Sequence, residues 1–385
     1  MKNALVTFIQ WANQSWLAAL CVAQLYFLVI LMQLSIHNFD PSYFISIGDR
    51  YIIEPENVPD NVSILPDSSG YDGQFYYQLG LNPFQPQPVN GGLSISNGPY
   101  RHQRIVYPVL AWLFSFGNPD LLPAALLLVN YLALIVLGWL GAQYARLHQR
   151  HALWGVLVAL YPGFLFSLTR DLTEILGVMF LLAGIIRLGQ SSGNIGPTIL
   201  FTLAIFTRET SFLAVVALAI AFILSKTYRR WPVVIIPLTS FALWQIALWS
   251  KWGQFPILAG QQNIGIPGQG LTTFIRSLER TNFMHQVWML ELGLVVMFAA
   301  AAAYSLCTTK GTLHHILIWL GYGVLVLSLT RHVWIEDLAY MRAISEFFLF
   351  SLLFVIAGLP SRGLIIMATS LSATWLIVFF TRLNW

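Results

Sequence analysis

The sequence predicts an all-α, polytopic membrane protein with about eleven transmembrane helices, and three observations predict it. Only 9% of the 385 residues are charged, against about 25% in ordinary globular chains. Hydrophobic residues make up 57% of the chain, and mean hydropathy is +0.68. The apolar residues also lie in long unbroken runs such as LLPAALLLVNYLALIVLGWLGA, over 121–142. A membrane-spanning helix needs about 20 such residues to cross about 30 Å of hydrocarbon. A transmembrane β-barrel would show short alternating segments instead. Disorder and a nucleic-acid-binding arm are excluded by the same composition. The chain reads as one transmembrane domain over 1–385.

The first apolar run, 16–36, is too long for a typical signal-peptide core and lacks a small-residue cleavage site, so it reads as a retained span. Residues 37–103 are the one long polar segment, rich in Pro, Gly, Asn and Asp, and should form an ordered extramembrane loop. Over 104–116, Ile105, Val106, Val109, Leu110, Leu113 and Phe114 share one helical face, with Arg104, Tyr107, Ala111 and Ser115 opposite. A helix of that length spans only about 20 Å, too short to cross, and is expected to lie on the membrane surface. Residues 37–120 thus form one extracytoplasmic unit with an interfacial helix. Further spans are expected at 121–145, 152–168, 172–188, 197–206, 210–224, 231–249, 287–306, 313–329, 338–359 and 364–380. Cys21 and Cys307 lie in or beside apolar runs and imply no disulfide framework.

Orientation follows from the short basic loops. Arg146 with Arg150, Lys226 with Arg229 and Arg230, then Lys310, then Arg362 mark the cytoplasmic side by the positive-inside rule. The N-terminus is then cytoplasmic, and all 16 Asp and Glu residues fall on the other side. That segregation points to an extracytoplasmic working face.

Within the long loop, IGDRY carries Asp49, and GYDGQFYY carries Tyr71, Asp72 and Gln74. Asp beside Gly is also ordinary turn chemistry. The loop continues into PYRHQRIVYP, where Arg101, His102 and Arg104 precede the amphipathic helix. A carboxylate beside several cations suits group transfer from a lipid phosphate, with a base for the incoming hydroxyl and cations for the departing phosphate. A second layer of charge sits at the outer ends of the spans. It comprises Arg170, Asp171 and Glu174 in LTRDLTEIL, Arg208 and Glu209 in FTRETSF, and Arg331, His332, Glu336, Asp337, Arg342 and Glu346. Arg170 with Glu174, His332 with Glu336, and Arg342 with Glu346 are each four apart, so local helical pairing is the plain explanation. Ionisable groups at membrane depth are costly and usually line a polar cavity. Arg208 and Glu209 also interrupt an apolar run too short for two full spans, which predicts that one or both helices stop at such a cavity. The His residues show no metal-ligand spacing, and there is no Walker, GxSxG or dinucleotide motif to support an ATP-driven pump or a serine hydrolase.

GYDGQFYY followed by YRHQRIVYPVLAWLFSFG, together with TRDLTE and FTRET, resembles the GT-C superfamily of membrane glycosyltransferases. The likeness is closest to the PIG-V type mannosyltransferases and their bacterial relatives, and it covers roughly the first 210 residues. The chain carries Tyr71 where the eukaryotic members typically have Trp. The resemblance implies transfer of a single sugar, such as mannose, from a polyprenyl or dolichyl phosphate to a lipid or glycan acceptor. It implies inversion at the anomeric carbon and no metal or other cofactor. The family's loop aspartate, general base or orienter of the acceptor hydroxyl, matches Asp72; Asp49 stands as a second acid or a cap of the loop. Placement makes Arg101, His102, Arg104, Arg208 and Arg331 candidates for the lipid phosphate. Tyr71, Gln74, Arg170, Asp171, Glu174, Glu209, His332 and Arg342 complete the candidate site. A transporter or flippase of a lipid-linked sugar is the alternative, but it should show paired discontinuous helices, and the sequence suggests one such break. A noncatalytic assembly subunit is the third reading. A bacterial inner membrane is the expected location; in a eukaryote it would be the endoplasmic reticulum, with a glycan at the Asn61-Val62-Ser63 sequon.

Overall fold

The structure, a computed structural model, describes residues 13–85, 87–190, 192–308 and 311–382. Lys310, used above for orientation, lies outside these residues. The fold is all-helical, with two short two-stranded ribbons in the first loop.

Helix α1 (Ser15–Ile36) leads into the long loop. There β1 (Ile47–Gly48) pairs parallel with β2 (Ile64–Leu65) before α2 (Gly73–Leu81), and β3 (Val89–Asn90) pairs antiparallel with β4 (Leu93–Ser94). The short α3 (Gly98–His102) and the amphipathic α4 (Val106–Phe114) follow. The two faces of α4 separate as the pattern predicts, with the charged face turned inward. Arg104, Tyr107, Ala111 and Ser115 are buried against the protein, while Leu113 and Phe114 are exposed. Of the apolar face, Val106 and Leu110 are half-buried against the core.

The remaining chain is a bundle: α5 (Leu122–Leu147), α6 (Val156–Ala159), α7 (Pro162–Leu168), α8 (Glu174–Gln190), α9 (Ile195–Thr207), α10 (Ser211–Leu224) and α11 (Pro232–Trp252). Then come α12 (Pro256–Ala259), α13 (Gln269–Ser277), α14 (Phe283–Thr308), α15 (Leu313–Ser328), α16 (Asp337–Ala343), α17 (Ser345–Gly358) and α18 (Ser361–Thr381). Among the described residues, α1, α5, α11, α14 and α18 are long and apolar enough to cross a membrane. The pair α16 and α17, bent by 57°, makes a sixth. Helices α9, α10 and α15 are apolar but shorter, at 13, 14 and 16 residues.

The unbroken span expected over 152–168 is instead a 3-10 turn (Ala152–Gly155) followed by α6 and α7. Pro162 explains the break: its ring removes a donor and drives Tyr161 to extended backbone, at ψ 124°. The expectation of a single discontinuous helix is likewise corrected. Besides the α9–α10 break at Arg208, the chain breaks here and bends between α16 and α17.

The basic loops touch in pairs. Arg150 donates to the Leu359 carbonyl at 2.6 Å, joining the loop after α5 to the turn before Arg362. Asn194 donates to the Arg229 carbonyl at 2.8 Å, and Arg230 to the Gly193 carbonyl at 3.0 Å. These contacts bring together loops that the charge pattern assigns to one side.

Candidate functional site

Asp72 immediately precedes α2, yet its side chain makes no capping bond to the helix. The Asx-turn explanation therefore does not account for it. Its carboxylate instead receives Arg101 Nη2 at 2.8 Å on one oxygen and Arg342 Nη2 at 3.1 Å on the other. Burial alone would push this carboxyl up, but Arg101 and Arg342 outweigh it and hold it well below the usual carboxylate range. Its position is set from behind by Gly73. A Cβ there would lie 2.3 Å from the Arg170 carbonyl oxygen and 2.7 Å from that of Ile45, so only glycine lets the loop seat this closely.

From Asp72 an alternating row of charges runs into the bundle. Arg342 also meets Glu174 at 3.1 Å, and its guanidinium lies 5.1 Å from the Tyr71 ring centre. Glu174 is 3.7 Å from Arg208, which meets Glu346 at 3.1 Å. Arg208 further donates to Ser345 Oγ at 2.8 Å and to the Arg342 carbonyl at 2.9 Å. A separate pair lies alongside, in which Arg104 grips both oxygens of Glu209 at 2.6 Å. Its remaining donors reach Tyr76 at 3.0 Å and Tyr100 at 2.5 Å. The helical i, i+4 pairs expected for Arg170 with Glu174 and Arg342 with Glu346 are not the ones formed: Glu174 pairs with Arg342 and Arg208, and Arg342 with Asp72 and Glu174. Arg342 and Arg208 reach different elements because the helices carrying them stop or bend here.

Most of these groups line a cavity of about 490 Å³, with Tyr76, Ser345 and Glu346 behind its wall. Arg101, Arg104, Arg208 and Arg342 stand on its wall with Asp72, Glu174 and Glu209, and Glu346 behind Arg208 brings the carboxylates to four against four arginines. Both α9 and α10 end at it, with Arg208, Glu209 and Thr210 in the gap, as the short apolar run suggests. Tyr71 and His332 line it too. Arg101 is the least committed guanidinium: Nη2 serves Asp72, the group lies 4.6 Å from the Phe75 ring centre, and Nε is buried with no hydrogen-bond partner.

Other expected site residues lie elsewhere. Asp49 does not line the cavity; it accepts backbone N–H groups of Asp67 at 2.8 Å and Ser68 at 3.1 Å and clasps the loop. Backbone donation from Asp67 is the main reason its carboxyl lies below the usual range. Gln74 is buried and bridges the Gly48 N–H and the Ser69 carbonyl. His102 is buried behind Trp252, with Nδ1 3.0 Å from the Gly98 carbonyl. Burial pushes it down to about 4, so it is neutral near pH 7 and cannot serve as a cation for phosphate. Asp171 is buried at a left-handed φ of 48°, with Tyr107 Oη 3.5 Å away. Arg170 donates to the Thr169 carbonyl, and Arg331 is exposed; neither lines the cavity. No group of three or more potential metal ligands occurs among the described residues.

The sequence reading missed two walls. Ser96, Asn97 and Tyr100 line the cavity from the first loop, and Ile257, Gly260, Gln262, Asn263 and Ile264 line it from a strap between α11 and α13. The signal was GQFPILAGQQNIGIPGQG over 253–270, a polar Gly- and Gln-rich stretch between two spans. Comparison of the chain with protein families, curated proteins and solved structures finds no match.

Proposed function

We propose that this chain is an inverting GT-C type glycosyltransferase that moves one sugar from a polyprenyl or dolichyl phosphate to a lipid or glycan acceptor at the extracytoplasmic face. The observation that carries the reading is Asp72, ionised on the cavity wall between Arg101 and Arg342. An acceptor hydroxyl attacks the anomeric carbon as the bond from that carbon to the phosphate oxygen breaks. The phosphate leaves with the electron pair, and the hydroxyl proton passes to Asp72 late in the step, when it has become strongly acidic. Arg101, with its unspent Nε, is the guanidinium best placed to follow the growing phosphate charge. Arg208 has Nη1 and Nη2 committed to Ser345 and the Arg342 carbonyl, and its Nε, though also without a hydrogen-bond partner, lies in an ion pair with Glu346, which suits holding the wall more than binding a ligand.

The membrane arrangement belongs to the same proposal. The six candidate spans, together with the shorter and broken helices, make up eleven passages, with the cavity on the side opposite the basic loops. A bacterial inner membrane is the location proposed.

One observation favours a second reading, a flippase of a lipid-linked sugar. The α9–α10 break and the α16–α17 bend meet through Arg208, and discontinuous helices meeting at a polar centre are a transporter feature. Purified protein in proteoliposomes with polyprenyl-phosphate sugars separates the two. Transfer releases free polyprenyl phosphate when acceptor is present; a flippase moves the intact lipid between leaflets and releases none. Absence of both activities leaves the assembly subunit.

A further inference from the structure

The strap over the cavity is fastened by its backbone. The Ile257 N–H donates to Gln245 Oε1 at 3.0 Å, and the Ala259 carbonyl accepts from Asn97 Nδ2 at 2.9 Å. At its far end, the Thr330 hydroxyl donates to the Gln262 carbonyl at 2.7 Å, the Thr330 N–H donates to the Asn263 carbonyl at 3.0 Å, and Ile264 bridges to Leu329. Gly260 sits against the Tyr100 ring, where a Cβ would come within 2.7 Å, and the Tyr100 hydroxyl accepts from Arg104. The strap is therefore pinned directly beside the ion-pair wall.

Because the fastening uses main-chain atoms, the side chains of Gln262 and Asn263 are not needed for it. Among the described residues neither carboxamide has a hydrogen-bond partner, and the same holds for the hydroxyl of Ser96; Asn97 commits only its Nδ2. All four residues line the cavity. Beside a wall of guanidinium and carboxylate thus stand uncharged groups that both donate and accept. A carboxamide offers two donors beside an acceptor oxygen, which matches the vicinal hydroxyls of a sugar and adds no charge that would compete with the ion pairs.

We propose that Gln262 and Asn263, with Ser96 and Asn97, form the subsite that reads the hydroxyls of the sugar, and so set which sugar is accepted. This rests on the glycosyl-transfer reading of the same cavity. The test measures binding to purified wild-type, Gln262→Ala, Asn263→Ala and double-variant protein. The probes are polyprenyl-phosphate mannose, polyprenyl-phosphate glucose and unglycosylated polyprenyl phosphate. Each single variant is expected to weaken the two glycosylated lipids about two- to tenfold, with the double variant weaker still. Binding of the unglycosylated lipid should stay unchanged, and the mannose-to-glucose preference should shift. Equal losses on all three lipids, or no loss in the double variant, overturn the subsite. Wild-type protein that binds glycosylated lipids selectively yet releases no lipid phosphate leaves the subsite standing and contradicts transfer instead.

Discussion

Arg208, in the gap between α9 and α10, donates to the backbone carbonyl of Arg342, at the end of α16, at 2.9 Å. One arginine thereby ties two interrupted helices together at the 57° bend, sharing the Arg342 carbonyl with the Ser345 hydroxyl, which donates to it at 2.9 Å. Its contacts with Ser345 and Glu346 fix the start of α17 in the same way.

Arg208→Leu should therefore act first on stability. Removing one partner of a buried ion pair costs about 3 to 5 kcal/mol. Denaturation in detergent should show that loss, and Glu346→Gln should show a smaller one. A loss below about 1 kcal/mol, against that scale, would return Arg208 to the anion-binding candidates.

Gly73→Ala should lower both stability and turnover, because the new methyl would meet the carbonyls of Arg170 and Ile45 and push Asp72 off its arginines. Overpacking of this kind costs about 1 to 3 kcal/mol. Gly293→Ala on α14, where a Cβ meets nothing within 4 Å, serves as the control and should be neutral or slightly stabilising. Equal behaviour of the two variants in thermal melts would remove the close approach as the reason for glycine at 73.

The two arginines on Asp72 also set a pH dependence. A carboxyl held below its unfolded value, about 3.9, stabilises the fold at pH above that value, and the contribution fades as pH falls through the depressed folded value. The stability gap between wild type and Asp72→Asn should thus be constant from about pH 5.5 to 7.5 and narrow below about pH 4. A gap that closes between pH 5 and 7 would mean that Asp72 is not held ionised by Arg101 and Arg342.

Single cysteines at Ser69 and Gln149, placed after removal of Cys21 and Cys307, test the orientation. An impermeant thiol reagent on intact cells should label position 69 and spare position 149. The reverse pattern would invert the topology.

Helix positions were legible because apolar runs report burial in lipid directly, and the two faces of α4 followed from the spacing of Arg104, Tyr107 and Ala111. Asp72, Arg101 and Arg104 could be found because they are close in the chain. The partners of Arg342 and Arg208 could not, since Glu174 and Asp72 lie 168 and 270 residues from Arg342 and sequence spacing suggested nearer ones. Asp49 and Gln74 misled for a related reason: a polar residue clasping loop backbone looks, in sequence, the same as one facing a ligand. The strap at 256–264 was overlooked because it carries no ionisable group.

The central claim is that Asp72 takes the proton from an acceptor hydroxyl. The decisive measurement is release of free polyprenyl phosphate from polyprenyl-phosphate sugar by purified wild-type, Asp72→Asn and Asp49→Asn protein, with donor binding measured in parallel. Asn keeps the size and one acceptor oxygen but cannot take the proton. Asp72→Asn should turn over about a hundredfold to ten-thousandfold more slowly while still binding donor, and Asp49→Asn should stay near wild type. An Asp72→Asn protein that keeps more than about a tenth of wild-type turnover, against that expected loss, would contradict Asp72 as the base.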